Sequence, residues 1–265
     1  MRLAFSTLGV PGLPVPDVVR LAAGSGFHGV ELRAHPEEPV HPGLPPAARA
    51  EVAGACAAAG IDVLAVAGYA RVAEPGADEP VLTEVRALLE LARDLGAGYV
   101  RVFPGGGDAD PAEADATAVR RLSALAPAAA GLGVRLLLET HDSHGTGAAA
   151  ARVLTRVNHT ATGALWDVMH TWRGGEDPEE SHRLLAPYLG YVQVKDIGSA
   201  EDTTPLVPGE GVLPLAEVVE VLSRANWDGW LCWEYEKRWY PEVPELPAAL
   251  PAVRDHLLRL LTAAA

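Results

Sequence analysis

Short apolar runs and amphipathic stretches take turns along this chain from end to end, and that alternation limits the folds open to it more than any other feature. Strand-like runs fall at residues 2–7, 28–33, 62–67, 99–103, 134–139, 161–167, 188–196 and 229–234. Residues 16–24, 45–59, 79–95, 112–130, 148–157, 178–185, 215–224 and 247–261 carry apolar side chains at helical spacing. Gly60 and Gly96 stand where a helix-ending glycine is expected, and Pro127 is expected to kink or end its helix. Strict strand–helix alternation implies a parallel sheet with right-handed crossovers. At 265 residues, eight such units favour a single-domain α/β fold, a (β/α)8 barrel over residues 1–265, above an open doubly wound sheet. No GxGxxG follows the first strand, which counts against a dinucleotide-binding fold. The Pro/Gly-rich stretches 36–46 and 205–214 read as long loops of the kind that shape a barrel's mouth.

Four of the apolar runs end in polar residues: LLLETH (136–141), ALWDVMH (164–170), YVQVKD (191–196) and LCWEYE (231–236). A buried, unpaired carboxylate costs several kcal/mol or takes up a proton, so such strands should avoid one. Yet Glu139, Asp167 and Glu234 sit where three of the runs end, with Gln193 at the matching place in the fourth. On consecutive strands of a barrel these four side chains meet at the C-terminal rim. Three carboxylates and an amide oxygen suit one hard divalent cation, and a set without imidazole favours Mn²⁺ or Mg²⁺ over Zn²⁺. Taken singly, each acid is as ordinary as a helix N-cap or a surface charge; the argument lies in their occurrence on consecutive strands.

Period-2 alternation adds His141, Lys195 and Glu236, each two residues beyond a rim position and pointing into the same cavity. Lys195 has two roles open to it: polarising a substrate carbonyl or pairing with one of the acids. His170, three after Asp167, suits a general acid/base or a supporting donor. His144 reads as a surface histidine. Arg33 and Arg101 end the second and fourth strands, where each can bind an anionic or hydroxylated substrate or pair with a rim carboxylate. Phe103, Trp166, Trp172 and Trp233 can wall a sugar site, although core packing is the default for each.

Composition narrows the function. With 35 acidic against 21 basic residues the net charge is −14, which disfavours nucleic acid or an anionic membrane as partner. Cys56 and Cys232 form no CxxC pair and read as buried thiols in a reducing compartment. No apolar segment reaches the ~20 residues of a membrane span, and the opening Met-Arg-Leu-Ala-Phe is strand-like rather than a cleavable leader. A soluble cytoplasmic protein is the expectation.

At these residues the chain resembles the xylose isomerase-like TIM-barrel superfamily, also described as AP endonuclease family 2 or sugar phosphate isomerase/epimerase. The likeness runs from FHGVELR through RVFPGG and LLLETH to WDGWLCWEYE, and its most specific part is the series Glu139, Asp167-x-x-His170, VQVKD and Glu234. In relatives the corresponding positions are Glu, Asp, His and Glu around one Mn²⁺, Mg²⁺, Co²⁺ or Zn²⁺. The resemblance therefore implies metal roles for Glu139, Asp167 and Glu234, with Gln193 standing where histidine is usual. The endonuclease branch carries extra histidines on its third and fourth strands. Here DVLAVA and YVRVF have none, which argues against DNA repair.

The resemblance implies a metal-dependent isomerase or epimerase of a small sugar, keto-sugar or cyclitol ketone. Glu139 and Glu234 would move a proton beside a carbonyl while the metal steadies the enediolate. Lys195 and His170 would act on the substrate, with His141, Arg101, Glu236 and Trp172 binding it. The arginine that epimerases carry shortly after the strand-seven histidine is absent from residues 197–202. A lyase of the inosose dehydratase or 3-keto-glycoside eliminase kind shares the same first step, and a sugar-binding barrel without a metal is the third reading. A homodimer is suggested by the relatives alone.

Overall fold

The computed structural model describes residues 1–264 and shows a closed barrel. The strands are β1 (Arg2–Ser6), β2 (Gly29–Arg33), β3 (Asp62–Arg71), β4 (Tyr99–Phe103), β5 (Arg135–Glu139), β6 (Thr162–Asp167), β7 (Leu189–Val194), the two-residue β8 (Asp196–Ile197) and β9 (Pro205–Leu206), and β10 (Trp230–Trp233). The helices are α1 (Val15–Gly24), α2 (Pro46–Ala58), α3 (Asp78–Leu95), α4 (Pro111–Leu132), α5 (Gly147–Val157), α6 (Val168–Arg173), α7 (Pro178–Leu185), α8 (Leu215–Arg224) and α9 (Leu246–Ala263). Parallel pairing runs β1-β10-β7-β6-β5-β4-β3-β2 and closes where Arg2 to Phe5 lie beside Trp230 to Trp233. This is a single (β/α)8 barrel, as the alternation of the sequence requires.

The barrel has two cores because each strand shows one face to the helices and the other to the interior. Between sheet and helices lies the large outer core, in which Trp166 and Trp233 are fully enclosed. Inside, Ala4, Leu64, Ala65, Leu137, Leu165, Tyr191 and Cys232 form an apolar layer. Two residues further along β5, β6 and β7, and just past β10, come Glu139, Asp167, Gln193 and Glu234. The step of two keeps them on the interior face and turns an apolar plug into a polar floor.

Some local readings are corrected. Pro127 does not end its helix: α4 continues to Leu132. Pro127 lies on the exposed side, while Leu122, Leu125, Ala126 and Ala129 anchor the opposite face, and the carbonyl left without its N–H partner is on the wet side. The stretch 188–196 is not one strand. β7 stops at Val194, and Asp196–Ile197 pairs antiparallel with Pro205–Leu206 inside what reads as a plain loop. Asp196 organises that loop by accepting from Gly209 N (2.8 Å), Gly211 N (3.0 Å) and Leu213 N (3.1 Å). Helix α6 was also not expected; its N-cap is Asp167 itself. Among the described residues no helix is long and apolar enough to cross a membrane.

Candidate active site at the C-terminal mouth

Above the polar floor lies a cavity of about 480 Å³ whose walls include Tyr69, Arg71, Arg101, Phe103, Glu139, His141, Lys195, Glu234, Glu236 and Trp239. Lys195 is its electrostatic centre. Its ammonium contacts Asp167 Oδ2 at 2.8 Å and Glu236 Oε1 at 2.9 Å and also pairs with Glu234. Three carboxylates hold Lys195 protonated far above its usual range in spite of burial. One cation cannot equally satisfy three anions. Burial, with Glu139 and Glu236 nearby, pushes Glu234 up to about 8 even though Lys195 opposes the shift. Glu139 is raised to about 6, again by burial first, with Arg101 and His141 pulling the other way.

Asp167 serves two masters. Its Oδ1 accepts from Met169 N (2.8 Å) and His170 N (3.4 Å), capping α6, which leaves Oδ2 for the cavity. Gln193 turns its amide nitrogen towards Glu31 (3.0 and 3.2 Å) and Glu234 Oε1 (3.1 Å). Glu31, fully buried on β2, also accepts from Tyr191. On the other side Arg101 approaches Glu139 Oε2 at 3.2 Å, and its guanidinium lies 3.9 Å over the Phe103 ring. The His141 and His170 rings pack at 4.1 Å between centroids. Burial lowers His170 to about 4 against the pull of Asp167, so its imidazole is neutral near neutral pH. His141 is raised because Asp142 and Glu139 outweigh its burial.

Do these groups fit a divalent cation? Glu139 Oε2, Asp167 Oδ2 and Gln193 Oε1 are buried without an aligned hydrogen bond. Gln193 Oε1 has no partner, Asp167 Oδ2 meets Lys195 (2.8 Å) and Glu139 Oε2 meets Arg101 (3.2 Å), so three oxygens on consecutive strands offer the donor chemistry of a cation site, two of them facing a cationic side chain. Glu139, His141 and His170 also bring one ligand atom each within 4.8 Å of one another. The mouth therefore fits a divalent ion in general, and such an ion would compete with Lys195 for Asp167 and Glu234.

The structure gathers most of the expected site residues. Trp172 packs against the outer core and does not line this cavity, whereas Trp239, unsuspected from the sequence, does. Arg33 pairs with Glu38 and donates to Tyr69 Oη at 2.6 Å, so it meets none of the four rim positions. His144 is not a surface residue. It is buried, bonded to Asp115 (3.0 Å) and Ser143 (2.9 Å), because the short turn Asp142–His144 folds it under α5. Glu31 was missed although it carries the same signal as the others, a carboxylate inside an apolar run.

A (β/α)8 barrel that gathers buried carboxylates, Lys195 and Arg101 at its C-terminal mouth defines the class: a TIM-barrel scaffold with its candidate site at the ends of its strands. Residues 19–260 match the family model described as xylose isomerase-like TIM barrel, and the chain belongs to that family. It is 32% identical over 182 residues to a putative hydroxypyruvate isomerase of Streptomyces coelicolor, a match covering 62% of this chain and 63% of that protein. It is 24% identical over 189 residues to a 3-dehydroshikimate dehydratase of Bacillus anthracis, covering 70% and 67%. Among solved structures, a D-psicose 3-epimerase of Clostridium cellulolyticum H10 superposes with a TM-score of 0.85 at 17% identity, covering 98% and 99% of the two chains.

Proposed function

We propose that this protein is a divalent-metal-dependent isomerase or epimerase of a small sugar, keto-sugar or cyclitol ketone, working through an enediolate. The observation that carries the reading is the pair of buried carboxylates, Glu139 and Glu234, raised to about 6 and about 8 on the walls of one cavity. A base works best with its pKa near the operating pH, and ordinary surface carboxylates lie too low. Glu139, Asp167, Gln193 and Glu234 would hold the ion, with Mn²⁺ or Mg²⁺ preferred because the donors are oxygens and Co²⁺ or Zn²⁺ as substitutes. Once bound, the ion would polarise the substrate carbonyl and steady negative charge on its oxygens.

The chain's own groups do the rest. Glu139 and Glu234 lie on different staves of the barrel, so one takes the proton beside the carbonyl and the other returns it from a different side. Lys195 stays charged and offers a hydrogen bond to a developing oxyanion. His170, neutral, orients a hydroxyl, and Arg101, His141 and Glu236 complete the binding wall. Trp172 lies outside that wall, packed against the outer core.

A second reading, a lyase on the same scaffold, is favoured by one specific feature. His141 lines the cavity with its pKa raised, and a charged imidazole there can protonate a leaving hydroxyl. The likeness to a dehydratase points the same way. One experiment separates the readings: Mn²⁺-loaded protein is incubated in D₂O with a panel of ketoses and cyclitol ketones and followed by NMR and mass spectrometry. Isomerisation gives a product of conserved composition carrying solvent deuterium, and dehydration gives a product short of one water. An unchanged panel would overturn both in favour of a binding barrel.

A further inference from the structure

Arg101 is a buried group with two enclosed nitrogens left unmet among the described residues. Its side chain is 3% exposed, yet none of its nitrogen atoms makes a hydrogen bond among the described residues, and Nε and Nη1 are fully enclosed. The contact with Glu139 at 3.2 Å is an ion pair without hydrogen-bond alignment. A guanidinium carries five N–H donors in a rigid fork, and leaving them unmet in a buried place is costly. Phe103 covers one face of the plane at 3.9 Å and Tyr69 lies 5.4 Å away, so an acceptor must arrive in the plane, at the Nη2 end that is not fully enclosed.

A second cation stands at the same wall. Arg71 ends β3 at the mouth of the cavity, and its stem packs so closely on Gly105 that a Cβ there would lie 2.6 Å from it. Gly105 also has φ +64°, which favours glycine. The backbone oxygen of Arg71 is held in turn by Arg121 Nη1 at 3.3 Å. The opposite wall is Glu234 and Glu236 around Lys195. The cavity thus carries Arg101 and Arg71 on one side, with Glu139 beside Arg101, and Lys195 with Glu234 and Glu236 on the other.

We propose that the substrate is an acid: a small hydroxylated carbonyl compound whose carboxylate is taken by Arg101 Nη2, the guanidinium nitrogen not fully enclosed, and by Arg71, with its carbonyl end directed to Lys195. A planar anion can set one oxygen on Arg101 Nη2 and the other on Arg71, where one hydroxyl would meet a single donor. The same carboxylate at the far wall would face Glu234 and Glu236. This assignment rests on the reading of the cavity as a substrate site and names the class of molecule that enters it.

The test is binding, independent of turnover. Calorimetry on the full chain compares hydroxypyruvate with dihydroxyacetone, and D-fructuronate with D-fructose. Each acid is expected to bind at least about tenfold more tightly than its neutral partner, the scale of a charge-assisted pair. Arg101→Lys, which keeps the charge and removes the Nη2 donor, should erase most of that preference. Arg71→Gln, at an exposed side chain whose loss leaves the fold intact, should erase part of it. Acids that bind no better than the neutral compounds, or that bind Arg71→Gln and Arg101→Lys as well as the parent, overturn the proposal. So does dihydroxyacetone phosphate binding more tightly than hydroxypyruvate. Tight acid binding with no product when the same acids are added to the D₂O panel would instead sink the isomerase and lyase readings and leave this one standing.

Discussion

Asp167 and Lys195 meet at 2.8 Å across neighbouring strands, while the other oxygen of Asp167 pins the first turn of α6. That contact fixes the cation of the site against the barrel wall and couples the α6 helix, with His170 on it, to the charge state of the floor. Burial would raise Asp167, but Lys195 and His170 together hold it below the ordinary carboxylate range. Asp167 therefore stays ionised where Glu139 and Glu234 need not. The acids of one polar layer are divided into one held ionised and two whose pKa values are raised.

Glu139→Gln removes one of the two raised carboxyls and keeps the shape of the side chain. Turnover should fall by at least about 10²-fold, the usual weight of a positioned base, while the circular dichroism spectrum and the melting curve stay close to those of the parent. Near-parental rates would show that Glu139 moves no proton.

Gln193→His exchanges an amide oxygen for an imidazole nitrogen at the floor. The preference among bound ions should move from Mn²⁺ and Mg²⁺ towards Zn²⁺ and Co²⁺. Competition dialysis with metal analysis reads this directly. An unchanged order of affinities would remove Gln193 from the donor set.

The raised pKa of Glu234 makes the metal-free protein sensitive to pH in a definite direction. The folded chain holds this proton up to about 8, against an ordinary value of 4.5 for the free carboxyl. The associated stability is complete below about pH 4.5 and is lost as pH rises through about 8. The shift sets an upper bound of roughly 5 kcal/mol on that loss, at about 1.4 kcal/mol per unit. Glu234→Gln should flatten the fall, so that the variant melts above the parent at pH 8.5 and close to it at pH 5, in chelator-treated samples. A parent melting curve that does not move across this window would contradict the assigned shift.

Arg121 is a test of scaffold rather than chemistry. Fully buried, it donates to the carbonyls of Glu74 (2.8 Å), Gly76 (3.0 Å) and Ala77 (3.2 Å), pairs with Asp78 at 2.9 Å, and holds the loop that carries Arg71. Arg121→Met should cost roughly 1–3 kcal/mol, because it removes the donors that gather the carbonyls of this loop. Chemical denaturation would show it as a lower midpoint with an unchanged slope.

The barrel was legible because eight apolar runs and their helices leave few alternatives, and the floor because a step of two carries each strand from Leu137, Leu165, Tyr191 and Cys232 to a polar side chain on the same face. What escaped the sequence depends on contacts between distant segments. His144 looks like a surface residue until Asp115, 29 positions earlier, is seen bonded to it. Glu31 stands in a run as apolar as the other four, but its partners Tyr191 and Gln193 lie across the barrel. Pro127 survives inside α4 because the helix is anchored by its buried face, which local propensity does not register. Trp239 enters the cavity from the segment after β10, where no periodicity marks it.

The plug of apolar side chains beneath the floor has a kinetic consequence. With the lower end stoppered, molecules come and go by a single doorway, and nothing can pass through from below. A spent molecule must vacate before a fresh one is admitted, so accumulating product should act as a straightforward competitor of its own precursor.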